Sequence, residues 1–238
     1  MKVAIMQPYF FPYIGYYQLI HAVDTFVIYD DVHFIKKGWI HRNYILVDEH
    51  KVPLTMSVKK MSQNRLILEH ERANIEDVIR HQLKHLYHGY RRTSQFERVM
   101  PVLEQAIEYE DRNVSRYLAH SIETIARYLG IRTNIICSSD LAIGKALRGQ
   151  DRVLAICQAL GATEYINAIN GRALYDADAF DERGIRLSFI DTDIVPYDQG
   201  METFEPYLSI IDLMMHCSKE EMQLMLDRYA LISNRQVT

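Results

Sequence analysis

Apolar residues along this chain fall into short runs whose period changes twice. Residues 1–6 form one run, and Phe26-Val27-Ile28-Tyr29, opened by Asp24 or Thr25, forms a second. Between them lie a loop, 7–16, and a helical stretch, 17–22. Short continuous apolar runs bounded by turn signals are what strands buried on both faces of a parallel sheet look like. Residues 44–47 and 52–58, joined across a polar turn at 48–51, predict a hairpin. From Asn74 the period becomes helical: Ile75, Val78, Ile79, Leu83 and Leu86 form one stripe, which Gly89 closes. Ser94 and Phe96 lead into a helix that carries Pro101 near its start. Val114, Tyr117, Leu118, Ile122, Ile125 and Leu129 mark a long one, stopped by Gly130. Strand and helix then alternate again, with strands at 133–137, 165–166 and 186–190 and a helix at 153–160. The tail is expected to be helical, with Ser218 and Glu221 as a capping box. The pattern predicts an α/β fold with a mostly parallel, Rossmann-like sheet and a helical insertion near 74–129.

Composition narrows this picture. At 238 residues, 48% hydrophobic and 24% charged, the chain suits one α/β domain over 1–238. A net charge of −4 argues against nucleic acid as a partner. Cys137, Cys157 and Cys217 are odd in number and far apart, with neither metal spacing nor a disulfide framework, as in a reducing cytoplasm. Gln7, Pro8 and Pro12 interrupt the N-terminal apolar run too early for a secretory signal. No run reaches the roughly 18 apolar residues of a membrane span. A cytoplasmic location without membrane insertion is therefore expected.

Candidate chemistry gathers at the predicted strand ends, where open parallel sheets bind ligands. Gln7, Tyr9, Tyr13, Gly15 and Tyr16 lie in a proline-stiffened aromatic loop that feeds a helix start. It could wall a planar ligand, or its aromatics could simply pack over the sheet. Asp30 and Asp31 end the second strand. Lys36, Lys37, Arg42, Lys59 and Lys60 follow, around the sole tryptophan, Trp39. These cations suit a phosphate or carboxylate, or form a solvated hairpin that pairs with the aspartates. Ser138, Ser139, Asn167, Asp191 and Asp193 put polar groups at later strand ends. His81, His85 and His88 share one helix face, which fits a metal site, a solvated face, or anion contact with Arg91 and Arg92. There is no glycine-rich dinucleotide fingerprint, Walker loop or nucleophile elbow. Cys137 fits packing better than chemistry.

The segment Met-Lys-Val-Ala-Ile-Met-Gln-Pro-Tyr-Phe-Phe-Pro-Tyr-Ile-Gly-Tyr at 1–16 resembles the opening of the WbqC-like family of bacterial proteins. Lys36-Lys37-Gly38-Trp39 through Arg42-Asn43 resembles that family's second motif. Gly161 to Asn167 with Gly171-Arg172 resembles its third, in a loop poorer in glycine than the family pattern. The resemblance spans nearly the whole chain. It implies a place in surface-polysaccharide (O-antigen type) biosynthesis, on a nucleotide-linked or lipid-linked sugar, with acyl or aminoacyl transfer to an amino sugar as one form. In layout, Phe11 to Tyr16 is also similar to the His-x-Gly-His loop of the nucleotidyltransferase superfamily, with Tyr13 and Tyr16 in the histidine places. A neutral phenol donates a hydrogen bond but carries no positive charge.

The leading expectation is a transferase. Gln7, Tyr9, Tyr13 and Tyr16 would shape the nucleotide-sugar pocket, and Lys36, Lys37 and Arg42 would neutralise phosphate. Asp30 or Asp31 would be the base, with Lys37 beside them in the catalytic set. Gly15, Trp39, Asn43, Asn167 and Arg172 complete the candidate ligand set. The alternative is a non-catalytic nucleotide-sugar-binding protein derived from a nucleotidyltransferase fold. Cofactor and oligomeric state stay open, and no metal site is assigned.

Overall fold

The computed structural model describes residues 1–144 and 146–233. In chain order its elements are β1 (Lys2–Met6), α1 (Ile14–His21), β2 (Thr25–Ile28), β3 (Arg42–Val47) and β4 (His50–Thr55). Next come α2 (Ile75–Tyr90), α3 (Phe96–Ile107), α4 (Val114–Leu129), β5 (Asn134–Cys137), α5 (Gly149–Ala159) and β6 (Glu164–Ala168). The last are α6 (Ala177–Asp181), β7 (Arg186–Thr192), α7 (Ile210–His216), α8 (Lys219–Leu226) and β8 (Tyr229–Ser233).

Six strands form one sheet in the order β5-β2-β1-β6-β7-β8. The first five are parallel, and β8 runs antiparallel to β7. This is the predicted α/β class. Both faces of the sheet are covered, which explains the continuous apolar runs. The pleat divides β1 between two cores: Ala4 packs with the layer containing α1, α4, α7 and α8, while Val3 and Ile5 pack with the layer containing α5 and α6. Each aliphatic side chain buried this way contributes about 1.5–3 kcal/mol. The chain leaves β1 toward β2 on one side, and β6 joins it on the other. The sheet's topological switch point therefore lies between β1 and β6.

The helical block is α2, α3 and α4. Asn113 caps α4 by accepting from the Arg116 amide at 3.1 Å, and Gly130 ends it at φ +82°. The antiparallel pair β3–β4 stands apart from the main sheet.

Four local expectations need correction. Helix α1 begins at Ile14, earlier than the apolar pattern predicts, because Tyr13 is extended and the chain turns helical directly after it. The hairpin turn has two residues, not four: Val47 pairs with His50, and Asp48 and Glu49 hold φ of +49° and +61°. The tail is not all helical, because Tyr229–Ser233 forms the sheet's edge strand. Gly89 does not close its helix; it lies inside α2, where a Cβ would come 2.6 Å from the Leu46 carbonyl oxygen.

That contact yields a prediction. In an open helix Gly→Ala would stabilise by about 1 kcal/mol. Here Gly89→Ala must push α2 off β3, and a net loss of about 1–3 kcal/mol is expected in urea denaturation.

Candidate functional site

The aromatic loop is pinned from three sides. Phe10 and Phe11 are fully buried, and Phe11 is held at φ +41°, an outlying conformation for a bulky residue. The Asn43 side-chain amide donates to the carbonyls of Phe10 (3.2 Å) and Phe11 (2.7 Å). Ser209 Oγ donates to the same Phe11 carbonyl at 2.8 Å. The Phe10 amide donates to the Trp39 carbonyl (2.9 Å), and the Ile210 amide to that of Pro12 (3.0 Å). Left-handed backbone at a residue of this kind costs about 1–3 kcal/mol and persists only when its surroundings over-determine it. Here β3, the loop before it and the start of α7 supply that constraint.

The three tyrosines and Gly15 divide by burial. Tyr16 is buried, packs on Phe26 at 5.3 Å and donates to the Gln7 carbonyl at 2.9 Å. It ties the loop to the helix and offers no open face. Tyr9 is half-buried with its ring 5.6 Å from that of Tyr16. The Tyr13 ring lies across Gly15, where a Cβ would stand 2.5 Å from Tyr13 Cε2 and 2.6 Å from Thr192 Oγ1. Gly15 thus allows Tyr13 and β7 to meet over the start of α1. Burial pushes the phenol groups of Tyr9 and Tyr13 up, so both are neutral hydrogen-bonding groups at pH 7.

Because the strand has already ended at Ile28, Asp30 and Asp31 are not forced to opposite faces, and both reach Ser138. Asp30 is buried. It accepts from Ser115 Oγ (2.7 Å), Ser139 Oγ (2.8 Å) and the Ser139 amide (3.0 Å). Ser138 Oγ lies 3.1 Å from Asp30 and 2.6 Å from Asp31, so one hydroxyl proton serves two carboxylates. Asp31 is partly open and pairs with Arg152, a buried residue in the first turn of α5 that also donates to the Gly144 carbonyl at 3.1 Å. The cation that pairs with Asp31 is therefore Arg152 rather than a hairpin lysine, while Asp30 is held by serines. Tyr29, beside this pair, has its phenol pushed up to about 12, mainly by burial. Burial, with Asp30 nearby, pushes the Cys137 thiol up to about 12, so it is not a ready nucleophile at neutral pH.

The basic loop lies over the aromatic one. Lys36, Lys37 and Trp39 are exposed, and Arg42 donates to the Lys37 carbonyl at 3.0 Å. Lys59 pairs with Glu71 at 2.9 Å. Asn167 is enclosed by tyrosines: its amide donates to the hydroxyls of Tyr165 (2.7 Å) and Tyr175 (2.9 Å). Its oxygen accepts from the Ala168 amide at 2.6 Å. Arg172 is exposed on the turn that follows β6. The histidines on α2 form only a pair, His81 and His85, with ring centroids 4.1 Å apart. No group of three or more metal-ligating side chains occurs among the described residues.

Gln7, Tyr9, Tyr16, Trp39, Arg42, Asn43 and the Asp31–Arg152 pair thus belong to the segments that leave the carboxyl ends of the sheet strands or pack on them. The motif reading missed Arg152 as a partner of Asp31, and it missed Asp212. Asp212 is fully buried and accepts from Tyr90 (2.8 Å), Tyr197 (2.7 Å) and Gln199 (3.0 Å). A lone aspartate inside the apolar run Ile210 to Met215 was its signal.

No helix among the described residues is long and apolar enough to cross a membrane. No solved structure matches the chain. A protein of Mycobacterium tuberculosis strain H37Rv, named as the uncharacterized protein Rv1507c, is 31% identical over 223 residues, which cover 92% of this chain and 95% of that one. The model of the WbqC-like protein family matches residues 7–224. Together with the three motifs noted in the sequence, this places the chain: it belongs to the WbqC-like protein family.

Proposed function

We propose that the chain is a cytoplasmic transferase of surface-polysaccharide (O-antigen type) biosynthesis that acts on a nucleotide-linked sugar at the carboxyl edge of its sheet. Family membership supports a role in polysaccharide biosynthesis. The observation that carries the rest is the polar cluster at the carboxyl ends of the neighbouring strands β2 and β5, where Asp31, Arg152 and Ser138 interlock, with exposed Lys36, Lys37 and Trp39 in the segment that follows β2. Lys36, Lys37 and Arg42 neutralise the phosphates, while Gln7 and Tyr9 border the sugar or base. Asp31, the more open of the two carboxylates, takes the proton of the attacking amine or hydroxyl; Asp30 holds the cluster together. In a reconstituted pathway Lys37→Ala and Arg42→Ala should each lower kcat/KM by about 10–100-fold, the effect of one lost charge-assisted contact. Wild-type turnover in both variants would refute this assignment.

A second reading is favoured by one observation. The Tyr13 ring covers Gly15 at the start of α1, and neither Tyr13 nor Tyr16 carries charge there. A nucleotide-sugar-binding protein without transfer activity fits that geometry. Product formation by the purified protein would exclude it; tight binding with no turnover from any donor would favour it.

A further inference from the structure

A groove of about 380 Å³ lies at the turn end of the β3–β4 hairpin, away from Arg42 and Asn43 at the hairpin's other end. Its walls are the hairpin turn, the last turn of α2, the 199–201 loop and His216 of α7. The volume suits a small metabolite. The lining carries both signs of charge: Asp48 and Glu49 on the turn, Arg91 and Arg92 after α2. Among the described residues no ion pair joins any of these four to a partner. Arg91 rests over the Tyr87 ring at 5.5 Å instead. Opposite charges around one groove that do not close on each other leave attraction available for a ligand with charges of both signs.

The groove's floor is fixed. Tyr90 accepts from the Leu46 amide at 3.0 Å and donates to buried Asp212, which also holds Gln199. The turn itself is built against local preference. Both of its residues have positive φ, a geometry that Asn-Gly meets without strain and Asp-Glu does not. Strain of this kind concentrates where ligands are held.

We infer that this groove binds a small dipolar metabolite, one bearing an amine together with a phosphate or carboxylate. The amine faces Asp48 and Glu49, and the anion faces Arg91 and Arg92. The site is separate from the sheet edge, so it stands or falls independently of the transferase reading.

Titration calorimetry of the full chain with four probes tests it: glucosamine 6-phosphate, serine, glucose 6-phosphate and glucosamine. Glucosamine 6-phosphate or serine should bind at least about tenfold more tightly than either probe with charge of one sign only, and which of the two binds identifies the anion. Arg92→Ala and Glu49→Gly should each weaken that binding about tenfold or more. Glu49→Gly should also raise the melting temperature, because glycine relieves the turn, so its loss of binding cannot be a folding defect. The imidazole NMR signals of His88 and His216 should move with the ligand. Equal binding of glucose 6-phosphate, no binding by either dipolar probe, or wild-type affinity in the two variants would overturn the inference.

Discussion

Asp30→Ala should lower the unfolding free energy by about 2–4 kcal/mol, a large share of what holds a domain folded. The carboxylate is buried and joins three parts of the chain that lie far apart in sequence: the end of β2, the turn after β5 and the first turn of α4. Removing it strands the buried Ser115 hydroxyl and takes one acceptor from the buried Ser138 hydroxyl, and an orphaned buried donor costs about 1–3 kcal/mol, to which the vacated space adds. The terms overlap, so the total stays below their sum. Asp30→Asn keeps one acceptor oxygen and should fall between alanine and wild type. Urea denaturation with a constant m-value checks both variants. A loss under 1 kcal/mol for alanine would show that the serine cluster does not depend on the carboxylate.

Asp212→Asn should cost about 2–4 kcal/mol although it changes few atoms. Asp212 is fully buried and meets three donors and no cation. An asparagine there turns an NH₂ group toward at least one of the Tyr90, Tyr197 and Gln199 donors, setting donor against donor. Burial, the largest cause of the raised phenol values at Tyr90 and Tyr197, persists in the variant, so neither tyrosine yields its proton to relieve the clash. The loss should loosen the 199–201 loop, and faster amide exchange at Gln199 and Gly200 would show it. Stability unchanged within 0.5 kcal/mol would mean the network rearranges without the charge.

These two carboxylates also show where sequence reading reaches its limit. The parallel strands announce themselves, because a strand buried on both faces leaves a compact apolar run such as Phe26 to Ile28. Helix α4 is equally clear, since Asn113, a clean stripe and Gly130 mark its two ends and its buried face. β8 does not announce itself. Along this edge strand exposed and half-buried residues are mixed without the strict alternation of a half-buried strand, and it follows directly on helix α8. Asp30 looks like a free acid at a strand end until its partners appear, and those lie 85 and 108 residues away. Gly89 looks like a helix stop because its actual reason, the Leu46 carbonyl, belongs to another element. Tyr16 carries the composition of a pocket wall, yet it is a buried clamp on Gln7. Local pattern reveals elements; which polar groups face a ligand and which face each other is decided by contacts across the chain.

The central claim is that the sheet's carboxyl edge binds a nucleotide-linked sugar through the basic segment that follows β2. Thermal unfolding of wild type and of the Lys37→Ala/Arg42→Ala double variant, against a panel of nucleotide sugars with and without Mg²⁺, tests it most directly. A ligand at about 100 times its Kd adds roughly 2.7 kcal/mol, which for a chain of this size raises Tm by about 5–10 °C. The account predicts such a rise for at least one nucleotide sugar in wild type and its loss in the double variant. No rise with any member of the panel, or an undiminished rise in the variant, would contradict it.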